Sequence, residues 1–309
     1  MPRAVHIRLV AWGAHASRFA RRHTSARVAA VFARSLYLQA GGDFMCIGAD
    51  GIGLGPLNAT VHTVDWQRLA RTLPAPGDAA DFGSQEVRFG SVVVRTAGAL
   101  AWSPAAPPAI RKDASERLTH ALDTLHALVH ERAPDGGLFR TTLALAPHDG
   151  SDPAVARLRR VADPRIAAFS AWMRRRLGGS AGGPAPVNLL GLGPGLTPSG
   201  DDLLGGALIA LRAAGRADAA QDLDWEIASE AAGATTPLSC AFLRAAAEGM
   251  GCAPLHSAIA ALLENDAEAL AGHVMELGRI GHTSGWDALA GVVLALQAAA
   301  AAHVPASVR

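Results

Sequence analysis

Hydrophobic positions follow two different rhythms along the chain. Up to about residue 110 they form short, β-branched or alternating runs punctuated by glycine. Four runs predict strands: Val28 to Gln39, Phe44 to Ile47, Val61 to Val64 and Glu86 to Arg95. Between two of them, Gly48-Ala-Asp-Gly-Ile-Gly-Leu-Gly-Pro56 reads as a hairpin turn, and Trp66 to Leu73 reads as a short helical interruption. The expectation for residues 1–110 is an antiparallel β-sheet or small β-barrel. Ser103-Pro-Ala-Ala-Pro-Pro108 can neither continue a strand nor fill a helix interior, and so marks the end of that domain.

After this the period becomes helical, with Leu118, Leu122, Leu125 and Val129 on one face between Asp113 and Pro134. Further helices are predicted at Pro153 to Val161, Arg165 to Leu177, Asp202 to Ala214, Gln221 to Ala232, Leu238 to Gly249, Pro254 to Glu264, Ala267 to Leu277 and Trp286 to Ala302. The chain is thus read as α+β, with a mostly α-helical domain over 111–309.

Composition sharpens this picture. Half of the 309 residues are hydrophobic but only 5% are aromatic, as expected for helices packed through Ala, Leu and Val. The 28 Lys+Arg and 27 Asp+Glu leave a formal charge of +1, without the basic footprint that nucleic acids or anionic membranes require. Lys112 is the one lysine, which excludes a Walker-type phosphate loop. Cys46, Cys240 and Cys252 form no C-x-x-C pair, so neither a disulfide framework nor a zinc knuckle is expected. His6, Arg8, His15 and Arg18 interrupt any secretory apolar stretch, and Leu203 to Leu211 and Ala288 to Leu296 are shorter than the ~20 residues of a membrane span. These features predict a soluble, cytoplasmic protein.

The densest chemical signal is Asn188-Leu-Leu-Gly-Leu-Gly-Pro-Gly-Leu-Thr-Pro-Ser-Gly-Asp-Asp202, running straight into an apolar helix. Its glycines allow close backbone approach, Thr197 and Ser199 offer hydroxyls, and a helix start presents unpaired N–H groups to an anion. A plainer reading makes Ser199 an N-cap with Asp202 closing a capping box. An internal echo weighs against it. Ser199-Gly-Asp-Asp-Leu-Leu-Gly-Gly-Ala-Leu-Ile-Ala-Leu211 aligns without gaps on Ser284-Gly-Trp-Asp-Ala-Leu-Ala-Gly-Val-Val-Leu-Ala-Leu296. Two equivalent helix starts facing one pocket are therefore expected, one bringing Asp201 and Asp202, the other His282, Thr283, Ser284, Gly285 and Asp287. Thr235-Thr-Pro-Leu-Ser239 is a third hydroxyl-rich rim, where capping by Thr236 explains the pattern and Thr236 and Ser239 remain contributors to binding.

Gly191 to Asp202, Thr235 to Ser239 and Gly281-His-Thr-Ser-Gly-Trp-Asp287 together resemble the AllH-type family, linked to oxamate carbamoyltransferase. The resemblance covers mainly residues 186–300. It implies a β-barrel first domain, a helical second domain and partner subunits in late allantoin catabolism, where oxalurate and phosphate exchange with oxamate and carbamoyl phosphate. The residue chemistry is compatible with such a transfer. Backbone N–H groups of Gly193, Gly195 and Gly200, with Thr197 and Ser199, suit a phosphate; His282 suits proton transfer and Arg279 charge compensation. Asp201, Asp202 and Asp287 either orient these groups or hold a magnesium ion with water. The alternatives are a magnesium-dependent phosphate-ester hydrolase built on those three carboxylates, and a non-catalytic subunit that binds a small anion.

Overall fold

The computed structural model describes residues 4–69, 72–108, 114–148, 152–180 and 183–302. The chain divides into two compact units, Met1–Pro104 and Ala105–Arg309.

The first unit contains β1 (Val5–Gly13), α1 (Ala14–Arg22), β2 (Ser25–Val31), β3 (Ser35–Ala40), β4 (Asp43–Ala49), β5 (Asn58–Val61), α2 (Thr63–Leu69), β6 (Ala79–Phe82), β7 (Glu86–Phe89), β8 (Val92–Arg95) and β9 (Leu100–Trp102). Their order is β5-β4-β3-β2-β6-β7-β8-β1-β9, closed by β5 pairing with β1. Because β8 and β9 follow one another along the same edge of β1, the wall has eight positions and forms a barrel. Closure leaves no free edge. Ile7, Leu9, Leu36, Leu38, Val61 and Val94 fill the interior, and α1 adds Ala16 and Phe19.

The barrel is mixed, not antiparallel: β1 runs parallel to β8 and β9, and β4 runs parallel to β5. The last pairing overturns the hairpin reading of Gly48 to Pro56. That segment returns the chain to the start of β4 through a 3-10 turn, Asp50–Ile52, and Gly53 at φ +78°. It is held from below by close packing, since a Cβ on Gly13 would stand 2.0 Å from the Gly55 carbonyl oxygen. Two long predicted strands are each a hairpin, β2–β3 and β7–β8, and in the second Gly90 turns at φ +56°. β5 ends at Val61, and α2 occupies the stretch placed a few residues later in the sequence reading.

The second unit contains α3 (Ala114–Val129), α4 (Phe139–Thr142), α5 (Pro153–Leu177), α6 (Ser199–Ala213), α7 (Ala217–Ala234), α8 (Pro237–Ala247), α9 (Ala253–Glu264), α10 (Ala267–Leu277) and α11 (Ser284–Ala302). The predicted start of α3, Asp113, lies outside the described residues. Two predicted helices are one: α5 runs through Pro164, its buried face of Ala162, Ile166, Phe169 and Met173 continuing across the proline. Burial of that continuous face outweighs the lost hydrogen bond. At the centre, α6 packs most extensively against α11, which is buried on nearly every side. Among the described residues α11 is the one helix long and apolar enough to cross a membrane, and 78% of its most apolar stretch is buried, as in a core helix.

Candidate functional site

Small residues set the site by letting two helices touch backbone to backbone. A Cβ on Gly206 would stand 1.9 Å from the Ala288 oxygen, and one on Gly291 would stand 1.8 Å from the Leu203 oxygen. These contacts are reciprocal: Gly206 and Gly291 are equivalent in the echo, as are Leu203 and Ala288. The repeated sequence thus folds as a pseudo-two-fold pair crossing at its glycines. The equivalence reaches back into the preceding turns. A Cβ on Gly200 would strike the Leu189 oxygen and the Leu192 Cβ, and one on Gly285 would strike the Leu277 oxygen and the Ile280 Cβ. Gly193 at φ +116° folds over Ser199 as Gly281 at φ +61° folds over Ser284. The first turn is the longer by three residues.

Ser199 does not cap α6. It is the first helical residue, and Pro198 occupies the cap without a side-chain hydrogen bond. The capping box therefore does not form, whereas Thr236 does cap α8, accepting the Ser239 N–H at 3.0 Å. The Thr236 hydroxyl also donates to the Leu196 carbonyl at 2.5 Å, fastening the outer part of the glycine turn.

The two helix starts meet directly: Thr197 Oγ1 lies 3.2 Å from Ser284 Oγ. Of the five candidate acidic and basic groups flanking them, Asp201 is committed elsewhere. Its buried carboxylate accepts the Gly191 N–H at 2.7 Å and the hydroxyls of Thr235 and Ser239, the latter at 2.6 Å. It ties the glycine turn to the start of α8. The three-carboxylate magnesium set is therefore not assembled, and among the described residues no group of three or more His, Cys, Asp or Glu is placed to hold a metal.

Asp202 and Asp287 instead form a pair. Burial, then the charge of Asp287, pushes Asp202 well above the usual carboxylate range, against the Ser284 and Thr197 hydroxyls. Burial pushes Asp287 up to about 6, opposed by the Leu138 N–H and the Ser199 hydroxyl. The hydroxyls cross over: each aspartate is relieved by the serine of the other helix. Asp287 is completely buried, while Asp202 is partly exposed. One oxygen of each, Oδ2, is buried without any hydrogen-bond donor.

Sequence reasoning missed a fourth wall, Asp135-Gly-Gly-Leu-Phe139. Leu138 N–H donates to Asp287 Oδ1 at 2.6 Å, and Gly137, at φ +75°, lies so close that a Cβ would come within 2.5 Å of that oxygen. The buried Arg140 guanidinium holds this loop by donating to the carbonyls of His130 and Ala133, each at 3.0 Å. The Asp-Gly-Gly turn before an aromatic residue was its visible signal. Gly195 is exposed at the tip of the first turn. Thr283 is half-buried against Gly137, Gly285 is buried, and His282 and Arg279 are exposed on the turn entering α11.

Such a site brings hydroxyls at two converging helix starts beside two acceptor oxygens that lack donors, while the N–H groups of Gly200, Asp201, Asp202, Gly285 and Asp287 already meet carbonyls of the preceding turns. No solved structure matches this chain. Residues 189–296, which hold both turns and the whole of their crossing, match the family described as oxamate carbamoyltransferase subunit AllH.

Proposed function

We propose that the chain is a carbamoyltransferase subunit that binds a small anionic substrate where α6 and α11 begin, in the exchange of oxalurate and phosphate with oxamate and carbamoyl phosphate. The observation that carries this reading is the Thr197–Ser284 contact, which brings two helix N-termini together inside the family-matched span. Carbamoyl transfer needs a cradle for phosphate and donors for the oxyanion that develops at the carbonyl. Backbone N–H groups of Gly193 and Gly195, with the hydroxyls of Thr197, Ser199, Thr283 and Ser284, supply both in this reading; the Gly200 and Gly285 N–H groups expected to join them are taken by the Leu192 and Ile280 carbonyls, at 2.8 and 3.2 Å. His282 carries the proton and Arg279 balances charge, and their exposure on one turn supports access from solvent. Thr236 and Ser239 act through the turn that they and Asp201 fasten.

The family's description as a subunit implies partner chains, and the test includes them. Full-length protein is combined with the subunits encoded beside it, carbamoyl phosphate and oxamate, and oxalurate and phosphate are measured. Formation of both, lost when this chain is omitted, is the expected result. Equal turnover without it would overturn the reading.

A further inference from the structure

A buried carboxylate oxygen without a donor is an unfinished hydrogen bond, and this site holds two. The neighbouring donors leave both Oδ2 atoms unserved. Leu138 N–H serves the other oxygen of Asp287, the Ser199 and Thr283 hydroxyls also favour that carboxylate, the Thr197 and Ser284 hydroxyls favour Asp202, and the Thr235 and Ser239 hydroxyls serve Asp201. The missing complement is a group with two donors, small enough to enter between two helices that touch at glycine, and attached to an anion that suits the helix starts. A primary carboxamide fits this description, because its single planar nitrogen carries two N–H bonds.

We infer that Asp202 and Asp287 jointly accept the two N–H bonds of a carbamoyl or oxamate amide group, while the ligand's phosphate or carboxylate lies at the backbone N–H groups of Gly193 and Gly195 in the adjoining turn. Asp202, partly exposed, meets the ligand from the open side, and Asp287 waits behind it. The inference rests on the carbamoyltransferase reading and adds to it a specificity device: the aspartate pair selects an amino group over a methyl group of the same size. Donors arriving there also offset the burial that raises both carboxyls and the Asp287 charge that raises Asp202 further. The other titratable groups around the pair are Asp201 on α6, the half-buried Cys252 just before α9, whose thiol feels the Asp202 charge, and His282 on the turn before α11, beside Gly136. Asp135, across the loop, is engaged with Arg140 and His148.

Isosteric ligand pairs test this directly. Binding of carbamoyl phosphate against acetyl phosphate, and of oxamate against pyruvate, is measured by calorimetry on the full-length protein, alone and with its partner subunits, with inorganic phosphate as reference. A site whose buried acceptors need N–H donors should prefer the amino member by roughly 100-fold, because the methyl member leaves two acceptors unpaired. The pair that shows the preference identifies which substrate's amide is bound. Asp202→Asn and Asp287→Asn should each reduce the preference to roughly tenfold or less while phosphate still binds. Wild-type protein that binds phosphate but accepts acetyl phosphate and pyruvate equally well would overturn the inference and leave the anion site standing. Magnesium binding by wild type that both variants abolish, without any amino preference, would make the pair a cation site and overturn it too. Failure to bind any of these anions would overturn the functional reading itself.

Discussion

Replacing Asp287 by Asn should stabilise the folded chain at neutral pH, and the reason is local. The carboxyl is completely buried, and its pKa stands at about 6 instead of 3.8. A difference of 6 − 3.8, or 2.2 units, corresponds to about 3 kcal/mol by which the folded state disfavours the charged form above pH 6. A raised carboxyl contributes stability that is fully present below the unfolded value and is lost as pH rises through the folded value. For Asp287 that loss runs from about pH 4 to about pH 6. Asparagine removes the charge yet keeps an oxygen for the Leu138 N–H, 2.6 Å away in the native protein. The weaker bonds that Ser199 and Thr283 would then make reduce the gain, so Asp287→Asn should be about 1 to 3 kcal/mol more stable than wild type at pH 7. The gain should shrink toward zero near pH 4. Urea unfolding at both pH values, followed by far-ultraviolet circular dichroism, reads the helical unit that contains this residue. A variant less stable than wild type at pH 7, or a difference that does not change with pH, would refute the argument. A stabilised variant with weakened ligand selection would mean that the native carboxylate is kept for the ligand at the expense of stability.

Two further outcomes follow from the same geometry. Gly206→Ala and Gly291→Ala place a methyl within 2 Å of a backbone oxygen on the facing helix and should each destabilise by about 3 kcal/mol or more, whereas Gly272→Ala, with open space at its Cβ on α10, should stabilise by about 0.5 to 1 kcal/mol; thermal midpoints of the three variants check the contrast in sign. Asp201→Asn should loosen the turn that its carboxylate ties to Gly191, Thr235 and Ser239, weakening phosphate binding about tenfold while destabilising by about 1 to 2 kcal/mol; unchanged affinity by calorimetry would show that the turn holds without it.

Much of the helical unit could be read from the sequence because its determinants are local. Apolar residues at helical spacing, prolines in first turns and glycines after last turns place α7 to α11 within a few residues of their ends. The gapless echo between Ser199 to Leu211 and Ser284 to Leu296 encodes a duplicated helix start in the sequence itself, since a repeated pattern of Ser, Gly, Asp and Gly needs no tertiary information to be seen. The barrel was less readable. His6 and Arg8, which break up any signal-like stretch, are the outward positions of β1, and their alternation with Ile7 and Leu9 is a strand pattern too short to stand out.

Tertiary structure alone decided the rest. Whether a glycine-rich loop makes a hairpin or a parallel return depends on which distant strand is waiting, and β5 pairs with β1 as well as β4. A helix passes through Pro164 because the continuous apolar face has a core to meet. Asp201 and Asp202 are adjacent in sequence, yet one fastens a turn and the other faces Asp287. Successive helical residues point about 100° apart, and only the packing of α8 on one side and α11 on the other gives those two directions different chemistry. The Asp135 to Phe139 loop reaches the pair from 149 residues away, Leu138 to Asp287. No local pattern encodes that meeting, because it is fixed by how closely two glycine-faced helices can approach.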